Sequence, residues 1–440
     1  MSLHDMLLKA IQEGDTRKFE TLLDRLKKRS DKNKANSLQY IMHHLSSYIS
    51  EKTRPHLLQF LSRLFQEGAS PNRSSTKYYP EHPLKDILYA LNDDPELCAS
   101  VTELFIQNGL DLTDPNPMYV AVGCCLPGAV QKLLGAGYDP NKAVRFQSSA
   151  QPSYILSKAV SEMGCWGSRS DSASMYHRAE EVVRVLLKSG ADPNLSTDDP
   201  GGLPAIFYCN KPDTVQLLLE HGANINAQET AGRSMLHMSI IDGDIDMAEY
   251  LLEHGANPNL QDNYGCGPIF YVQSAEAIRL LADHGAKLNT IANNGDMPLA
   301  RLCSDLIPVL IEAGAGVNFR NREGRTALYL CCRDVTSKAS ACVRVLIQAG
   351  ADLNIRDSSG MTPFLTFMLS HSWDPYVLQH RIELAEFMVE QGADIYAKDS
   401  SGRSILNIKA PIIVAHLKEI YDHVRTRKEV LEEDIDTFAR

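Results

Sequence analysis

Leucine and valine residues recur at helical spacing along much of the chain, and a glycine follows each run. In "TVQLLLEHG", residues 214–222, the leucines fall on one helical face and Gly222 stands where that helix should end. Glycine takes the left-handed conformation beyond a helix end without a Cβ penalty. The polar segment "NAQETAG" that follows is typical of a turn. Another apolar segment, "SMLHMSII" at 234–241, then predicts a shorter helix. The pattern therefore predicts a unit of turn, short helix, loop and longer helix.

This unit repeats. The segment "LLEHGANIN" at 218–226 returns nearly unchanged as "LLEHGANPN" at 251–259. Related segments carry a glycine at the same place, namely Gly68, Gly109, Gly137, Gly190, Gly222, Gly255, Gly285, Gly314, Gly350 and Gly392. From Gly190 to Gly350 the spacings are 32, 33, 30, 29 and 36 residues. Because one helix pair cannot bury its apolar face alone, such a period predicts a stack of neighbouring pairs.

A second recurring element marks the start of each short helix. It reads, among other places, "HPLK" at 82–85, "QPSY" at 151–154, "GPIF" at 267–270, "MPLA" at 297–300 and "TPFL" at 362–365. Proline at its second place suits the first turn of a helix, where no hydrogen bond is lost. Together with the glycine-ended helix, this element resembles the "T-P-L-H" signature of the ankyrin repeat family. The resemblance implies an all-α solenoid of about twelve stacked helix-turn-helix units with β-turn fingers.

The regularity of the repeats suggests three regions. We expect N-terminal capping and degenerate repeats at 1–141, regular repeats at 142–421, and a charged C-terminal helix or tail at 422–440. Two insertions, at about 164–178 and about 370–380, separate the two helices of their units. They hold the tryptophans of the chain, Trp166 and Trp373. Long insertions in repeat proteins map to exposed loops, so these tryptophans are candidate contacts to a second protein.

Composition narrows the possible partners. The chain has 440 residues with 44 basic and 55 acidic side chains, and this formal net charge of −11 disfavours nucleic-acid binding. No run of 18 apolar residues is present, so no membrane span is predicted. Ten cysteines without a disulfide-like spacing suggest a reducing compartment. We expect a cytoplasmic protein. The basic segment at 24–34 keeps a nuclear location open, and a secreted effector would act in a host cytosol.

The sequence predicts no metal, no cofactor and no small-molecule substrate. Adjacent cysteines on a helix point about 100° apart and chelate one ion poorly, because zinc ligands need wider gaps. The adjacent pairs are Cys124-Cys125 and Cys331-Cys332. In the repeat alignment, Cys209, Cys303 and Cys332 share one position, which the ankyrin family fills with a small buried residue. We therefore expect buried, unpaired thiols there.

Two other residue types invite a catalytic interpretation. Three histidines precede a helix-ending glycine and are predicted to bond terminal carbonyls; they are His221, His254 and His284. The pair Cys165-Trp166 resembles the "C-W" of papain-like cysteine peptidases, but no histidine and asparagine partners can be assigned. A thiol hydrolase acting through Cys165 is therefore a minor alternative, and no catalytic residue is predicted.

The resemblance implies a non-catalytic scaffold or adaptor that binds a partner protein through a concave face and turn fingers. The alternative is an effector or ubiquitin-ligase substrate adaptor that recruits a second protein through its inserted loops. Cations recur in register on the last three fingers, with an aromatic residue further back. The candidate partner-binding residues are Tyr264, Arg320, Arg322, Arg325, Arg356, Lys398 and Arg403. Forked arginine donors suit carboxylates, so the predicted ligand is an acidic segment of a protein.

Overall fold

The computed structural model describes residues 2–28, 31–72, 82–145, 152–167, 173–196, 203–333, 337–369, 378–407 and 411–438. The chain divides into two compact units, Met1–Thr230 and Ala231–Arg440. This division falls inside the stretch predicted to hold the regular repeats. Each unit is built mainly from short helices that pack in two layers.

Unit 1 contains eleven α-helices within its described residues. They are α1 (Leu3–Glu13), α2 (Thr16–Lys27), α3 (Asp31–His44), α4 (Leu57–Gln66), α5 (Pro83–Ala90), α6 (Pro95–Gln107), α7 (Asn116–Gly123), α8 (Pro127–Gly135), α9 (Ile155–Gly167), α10 (Ala173–Lys188) and α11 (Pro212–Glu220). Single 3-10 turns lie at Leu45–Tyr48, Arg54–His56 and Ala205–Tyr208. Helices α3, α5, α7 and α9 pack in sequence as a first layer, and α4, α6, α8 and α10 pack in sequence as a second layer. This alternation is the stacking that the period predicts.

Unit 2 continues the same plan. Its helices are α12 (Met235–Asp242), α13 (Ile245–Glu253), α14 (Ala275–Asp283), α15 (Pro298–Arg301), α16 (Ile307–Glu312), α17 (Ala327–Arg333), α18 (Ser337–Gln348), α19 (Pro363–Leu369), α20 (Leu378–Glu390) and α21 (Pro411–Phe438), with 3-10 turns at Pro268–Phe270 and Ile405–Asn407. Elements α12, Pro268–Phe270, α15, α17 and α19 form the first layer, and α13, α14, α16, α18 and α20 form the second. None of the described helices is long and apolar enough to cross a bilayer.

The apolar residues at helical spacing form the core, and the glycines end the helices as predicted. Leu218 and Leu251 are completely buried on α11 and α13. Gly222 follows α11 with φ 84°, and the Ala223 N–H donates to the Leu218 carbonyl at 3.0 Å. This is the left-handed ending that a Cβ would oppose. The histidine prediction is also confirmed. His221, His254 and His284 place Nδ1 at 3.0, 2.8 and 3.0 Å from the carbonyl four residues earlier.

In six of the repeated segments the asparagine joins one repeat to the next, a role that the sequence did not reveal. The Asn194 amide donates to the Gly222 carbonyl at 2.9 Å, and its Oδ1 accepts from the Asn224 N–H at 2.7 Å. We call this two-bond contact the Asn staple. It recurs from Asn72, Asn141, Asn259, Asn318 and Asn354 to the helix-ending glycine of the following repeat. Each such hydrogen bond contributes about 1 kcal/mol net.

The start of α9 differs from the prediction. Pro152, expected in the first turn of a helix, lies instead in a two-residue strand, β2 (Pro152–Ser153), which pairs antiparallel with β1 (Val144–Arg145). The helix begins at Ile155. With this start, Ile155 and Leu156 lie in the core. Burial of these two side chains therefore accounts for the residue at which α9 begins.

Three first-layer elements are shorter than expected. In the repeats that carry Cys209, Tyr271 and Cys303, the first-layer helix is reduced to about one turn. Cys303 therefore lies in the loop after α15 and is only partly buried, which corrects the expectation of a buried thiol there. At the C-terminal end of unit 2, α21 continues without a break across the boundary that the sequence predicted at 421–422.

Candidate functional site

Five β-turn fingers project from unit 2, and each closes on itself. They are finger 1 (261–266), finger 2 (291–296), finger 3 (320–325), finger 4 (356–361) and finger 5 (398–403). In each, the N–H of the second residue donates to the carbonyl of the sixth at 2.9 Å. In finger 4, Asp357 Oδ1 also accepts from the Ser359 and Met361 N–H groups at 2.8 and 2.9 Å. Because the Asp357 side chain is buried, these bonds hold the finger rigid.

Neighbouring fingers are joined through their backbones. The Asn293 N–H of finger 2 donates to the Tyr264 carbonyl of finger 1 at 2.8 Å. Equivalent bonds join fingers 4 and 3, and fingers 5 and 4. Between fingers 2 and 3 the described residues show no such backbone bond, and the Asn321 amide donates to the Gly295 carbonyl at 2.8 Å instead. The row of fingers is therefore preorganised by backbone bonds, except between fingers 2 and 3, where the Asn321 side chain makes the link.

Two of the predicted binding arginines hold the fingers together. Arg320 Nη2 donates to the Arg356 carbonyl at 2.8 Å, and its Nε donates to the Gly324 carbonyl at 3.1 Å. Arg356 Nη1 donates to the Lys398 carbonyl at 3.1 Å. These guanidinium groups link finger 3 to finger 4 and finger 4 to finger 5, so part of their donor capacity is already used inside the protein.

Arg325 is also engaged inside the protein. It places Nε 3.3 Å from Asp357 Oδ2, pairs with Glu323, and lies with its guanidinium carbon 5.1 Å from the Tyr329 ring centroid.

Arg403 forms a comparable contact within finger 5. Its Nε lies 2.7 Å from Asp399 Oδ2. Desolvation would raise the pKa of Asp399, but hydrogen bonds from Ser401 and Arg403 outweigh it and lower that pKa to about 2. Asp399 is therefore a fixed negative charge that holds Arg403.

The remaining three candidates are exposed, and within the described residues their side chains make no hydrogen bond, ion pair or ring contact. They are Tyr264 on finger 1, Arg322 on finger 3 and Lys398 on finger 5. Tyr264 has 63% of its surface exposed, a large value for an aromatic residue. The seven predicted residues thus separate into four that bind other parts of the unit and three that can contact a partner.

A cleft of about 450 Å³ lies beside fingers 1 and 2, and sequence reasoning missed most of it. Its lining residues are Arg233, Asn263, Tyr264, Cys266, Tyr271, Asn293, Asn294 and Arg301. Tyr271 and Arg301 both stand three residues after the proline that begins a first-layer element, Pro268 and Pro298. That spacing was the signal in the sequence that could have identified them.

The insertions lie partly outside the described residues. Cys165 is exposed near the end of α9 and makes no hydrogen bond to any described residue. The side chain of Trp166 and the whole of Trp373 lie outside the described residues. Neither tryptophan can therefore be placed on a surface.

Most of the remaining thiols are buried. Cys209 and Cys332 are in the core, and burial raises the pKa of both thiols. Burial likewise raises the pKa of Cys98 and Cys125 to about 12. Among the described residues, no group of three or more His, Cys, Asp or Glu side chains could hold a metal ion.

Comparisons with known proteins agree with this architecture. The family model described as "Ankyrin repeats (3 copies)" matches residues 172–262 and 300–399. The chain is 32% identical over 156 residues to the B-cell lymphoma 3 protein homolog of Mus musculus, covering 31% of this chain and 34% of that protein. It is 28% identical over 245 residues to the phosphocholine transferase AnkX of Legionella pneumophila, covering 52% and 22%.

A viral protein and a solved structure are also similar. Ankyrin repeat protein B18 of vaccinia virus is 24% identical over 197 residues, covering 35% of this chain and 33% of that protein. The crystal structure of the ankyrin repeat domain of Bcl-3 matches 52% of this chain and 98% of its own, with 28% identity and a TM-score of 0.41. The chain spans about a fifth to a third of the length of the curated relatives it matches. The stacked helix pairs, the fingers and the family match together show that this chain belongs to the ankyrin repeat family.

Proposed function

We propose that this chain is a non-catalytic scaffold or adaptor that binds an acidic segment of a partner protein through the fingers and first-layer elements of unit 2. Ankyrin repeats are protein-interaction modules, and the fold is generally not enzymatic. The main support for the proposal is that the fingers combine hydrogen-bonded backbones with exposed side chains. Their backbones are fixed by internal bonds, while Tyr264, Arg322 and Lys398 stay exposed. A surface that is rigid before binding loses less entropy when it binds.

The charges around the fingers support an acidic partner. Asp357 and Asp399 are buried and already pair with Arg325 and Arg403. Arg322 and Lys398 have no such partner within the described residues. A local excess of positive charge on a protein of net charge −11 favours approach of an acidic segment to this surface.

Site-specific photo-crosslinking tests the proposal. Benzoylphenylalanine would replace Arg322 in the full chain, and in a control it would replace Arg279, an exposed residue of the second-layer helix α14. We expect one protein from a cell lysate to be crosslinked from position 322 and not from 279. That crosslink should disappear when Lys398→Glu and Tyr264→Ala are added. Equal crosslinking from both positions, or a crosslink that survives these substitutions, would contradict a finger-centred site.

A thiol hydrolase acting through Cys165 is the second candidate, and only the exposure of that side chain favours it. It can be tested separately with a vinyl sulfone probe, which labels activated cysteine nucleophiles. We expect no labelling of Cys165 beyond that of an ordinary exposed thiol, and no reaction of Cys209 or Cys332 in the folded protein because they are buried. Rapid labelling that Cys165→Ser removes would support the hydrolase instead.

A further inference from the structure

Two arginines line the cleft beside fingers 1 and 2, and the carboxylates of Asp262 and Asp296 bond to its lining residues from outside. Its lining includes the guanidinium groups of Arg233 and Arg301, the amides of Asn263, Asn293 and Asn294, and two tyrosines, but no carboxylate. Its volume of about 450 Å³ falls within the range of protein sites that hold a ligand group. The lining is therefore rich in hydrogen-bond donors.

Arg301 is the residue best placed to bind a ligand. Its side chain is 45% exposed, and the only ion pair it forms within the described residues is with Asp296 at 3.7 Å. That distance exceeds a normal hydrogen bond. The same Asp296 oxygen already accepts from the Asn294 amide at 2.9 Å. Arg301 therefore keeps the planar fork of donors that a carboxylate accepts in bidentate geometry.

Two tyrosines line the same cleft as Arg301, and the Tyr271 ring lies 5.8 Å from the guanidinium carbon of Arg233. The Tyr271 hydroxyl donates to Asp262, and Asp262 Oδ1 accepts from the Tyr264 and Cys266 N–H groups at 2.8 and 2.9 Å. Asp262 is buried behind the turn. The Tyr271 ring is thus fixed, while the Tyr264 ring is exposed and can cover a bound group.

We propose that this cleft binds an aspartate or glutamate side chain from an extended segment of the partner protein, with Arg301 as the carboxylate-binding residue and Tyr264 covering its aliphatic part. This inference rests on the proposed protein-binding function and specifies where and how the acidic segment is recognised. It moves the recognition residue from the predicted arginines of fingers 3 and 4 to the first-layer element α15. The donor set of the cleft, one available guanidinium with neutral amides, suits a singly charged carboxylate.

A displayed library of random twelve-residue peptides provides the probe. Peptides would be selected on the full chain and their affinities measured by fluorescence anisotropy. We expect the selected peptides to share an Asp or Glu at one position, and replacing it by Asn or Gln should weaken binding about 10-fold or more. Arg301→Glu should abolish this binding and should favour peptides with Lys at the same position. Tyr264→Ala should weaken binding less.

Two matched variants identify the source of any loss. Arg279→Glu makes the same charge change on a second-layer helix and should leave peptide affinity unchanged at the same salt concentration. Arg17→Glu makes the same charge change at an exposed position of α2 in unit 1, outside the cleft lining, and should likewise leave the affinity unchanged. Circular dichroism and thermal melting would show that Arg301→Glu folds, as its exposure predicts.

The outcomes separate this inference from the function on which it rests. Selected peptides without a shared acid, or with affinity that Arg301→Glu leaves unchanged, would overturn the carboxylate site while finger-dependent crosslinking could still stand. A selection that yields no binding peptide would also count against a cleft for a short acidic segment. Loss of the crosslink specificity at position 322, with acid-dependent peptide binding retained, would overturn the finger surface and leave the cleft.

Discussion

Arg320 and Arg301 lie in the same unit and are both exposed, yet their surroundings differ. Arg320 reaches the backbone carbonyls of two fingers, at 3.1 and 2.8 Å. Arg301 reaches one carboxylate at 3.7 Å, and that carboxylate is already hydrogen-bonded. A basic residue at a finger therefore does not mark a binding site by itself, since nearby carbonyl groups can use its donors. Arg320 and Arg356 join fingers 3, 4 and 5 to one another through hydrogen bonds. Arg301, in the cleft beside fingers 1 and 2, keeps its donors available for a ligand.

The largest effect should come from removing the buried anchor of finger 4. Asp357→Ala removes an acceptor from two N–H groups and the buried partner of Arg325. We expect a loss of about 3 kcal/mol in the free energy of unfolding, measured by urea denaturation. The control is Asp305→Ala, an exposed residue. A loss no greater than that of the control would show that the bonds of finger 4 add little.

A smaller effect should separate the two kinds of finger arginine. Arg320→Ala removes donors to the carbonyls of Gly324 and Arg356 and should lower the free energy of unfolding by about 1 kcal/mol. Arg322→Ala, two residues away, should change it by less than about 0.5 kcal/mol. If urea denaturation gave equal losses in the free energy of unfolding for both variants, Arg320 would not stabilise the fold more than the exposed Arg322.

Acid should weaken finger 5 through Asp399. Its pKa in the folded protein is about 2, below the usual 3.8, so its charge stabilises the fold above about pH 4. That contribution is lost as the pH falls from about 4 to about 2. Asp399→Asn keeps an acceptor, as Asn321 does in finger 3, but removes the charge. We expect the variant to melt below the wild type at pH 7, with the difference vanishing near pH 2. A constant difference across this range would contradict the assignment.

The smallest effect should come from finger 2, which has Ala292 where fingers 1, 3, 4 and 5 have Asp or Asn. Ala292→Asp would supply an acceptor for the Asn294 N–H, whereas the Asp296 N–H already donates to Asn294 Oδ1 at 3.0 Å. We expect a gain of up to about 1 kcal/mol in the free energy of unfolding. Ala292→Leu is the control, since it adds volume at a buried position without an acceptor. A loss with both variants would show that finger 2 cannot adopt the geometry of its neighbours.

Much of the fold could be predicted because its signals are local. The helix-ending glycines and the histidines before them need only their own helix, so Gly222 and His221 were placed correctly from the sequence. The early ends of the first-layer elements were missed. The prolines at 268 and 298 mark where these elements begin, but no glycine or second proline marks where they stop.

The site was less predictable because it depends on neighbours from other repeats. Alignment placed Arg320 and Arg356 in register, but it could not show that each reaches a carbonyl of the next finger, 36 and 42 residues away in sequence. Arg301 was overlooked because it lies on a first-layer element and not on a finger. Whether a charged side chain is available for binding follows from the packing of several repeats.

The Asn staple has a mechanical consequence for unit 1. Leu112 occupies the place of the asparagine in the repeat that ends at Gly109, and a leucine side chain cannot bond the next glycine carbonyl. Among the described residues, polar contacts near this joint come from flexible surface lysines: Lys142 Nζ donates to the Thr113 carbonyl at 3.3 Å, and Lys132 Nζ lies 2.8 Å from Glu103. A chain under tension yields first where neighbours are held by the fewest directional bonds. The joint after Gly109 therefore lacks the two directional bonds of its stapled neighbours, and we expect it to bend or open more readily than they do.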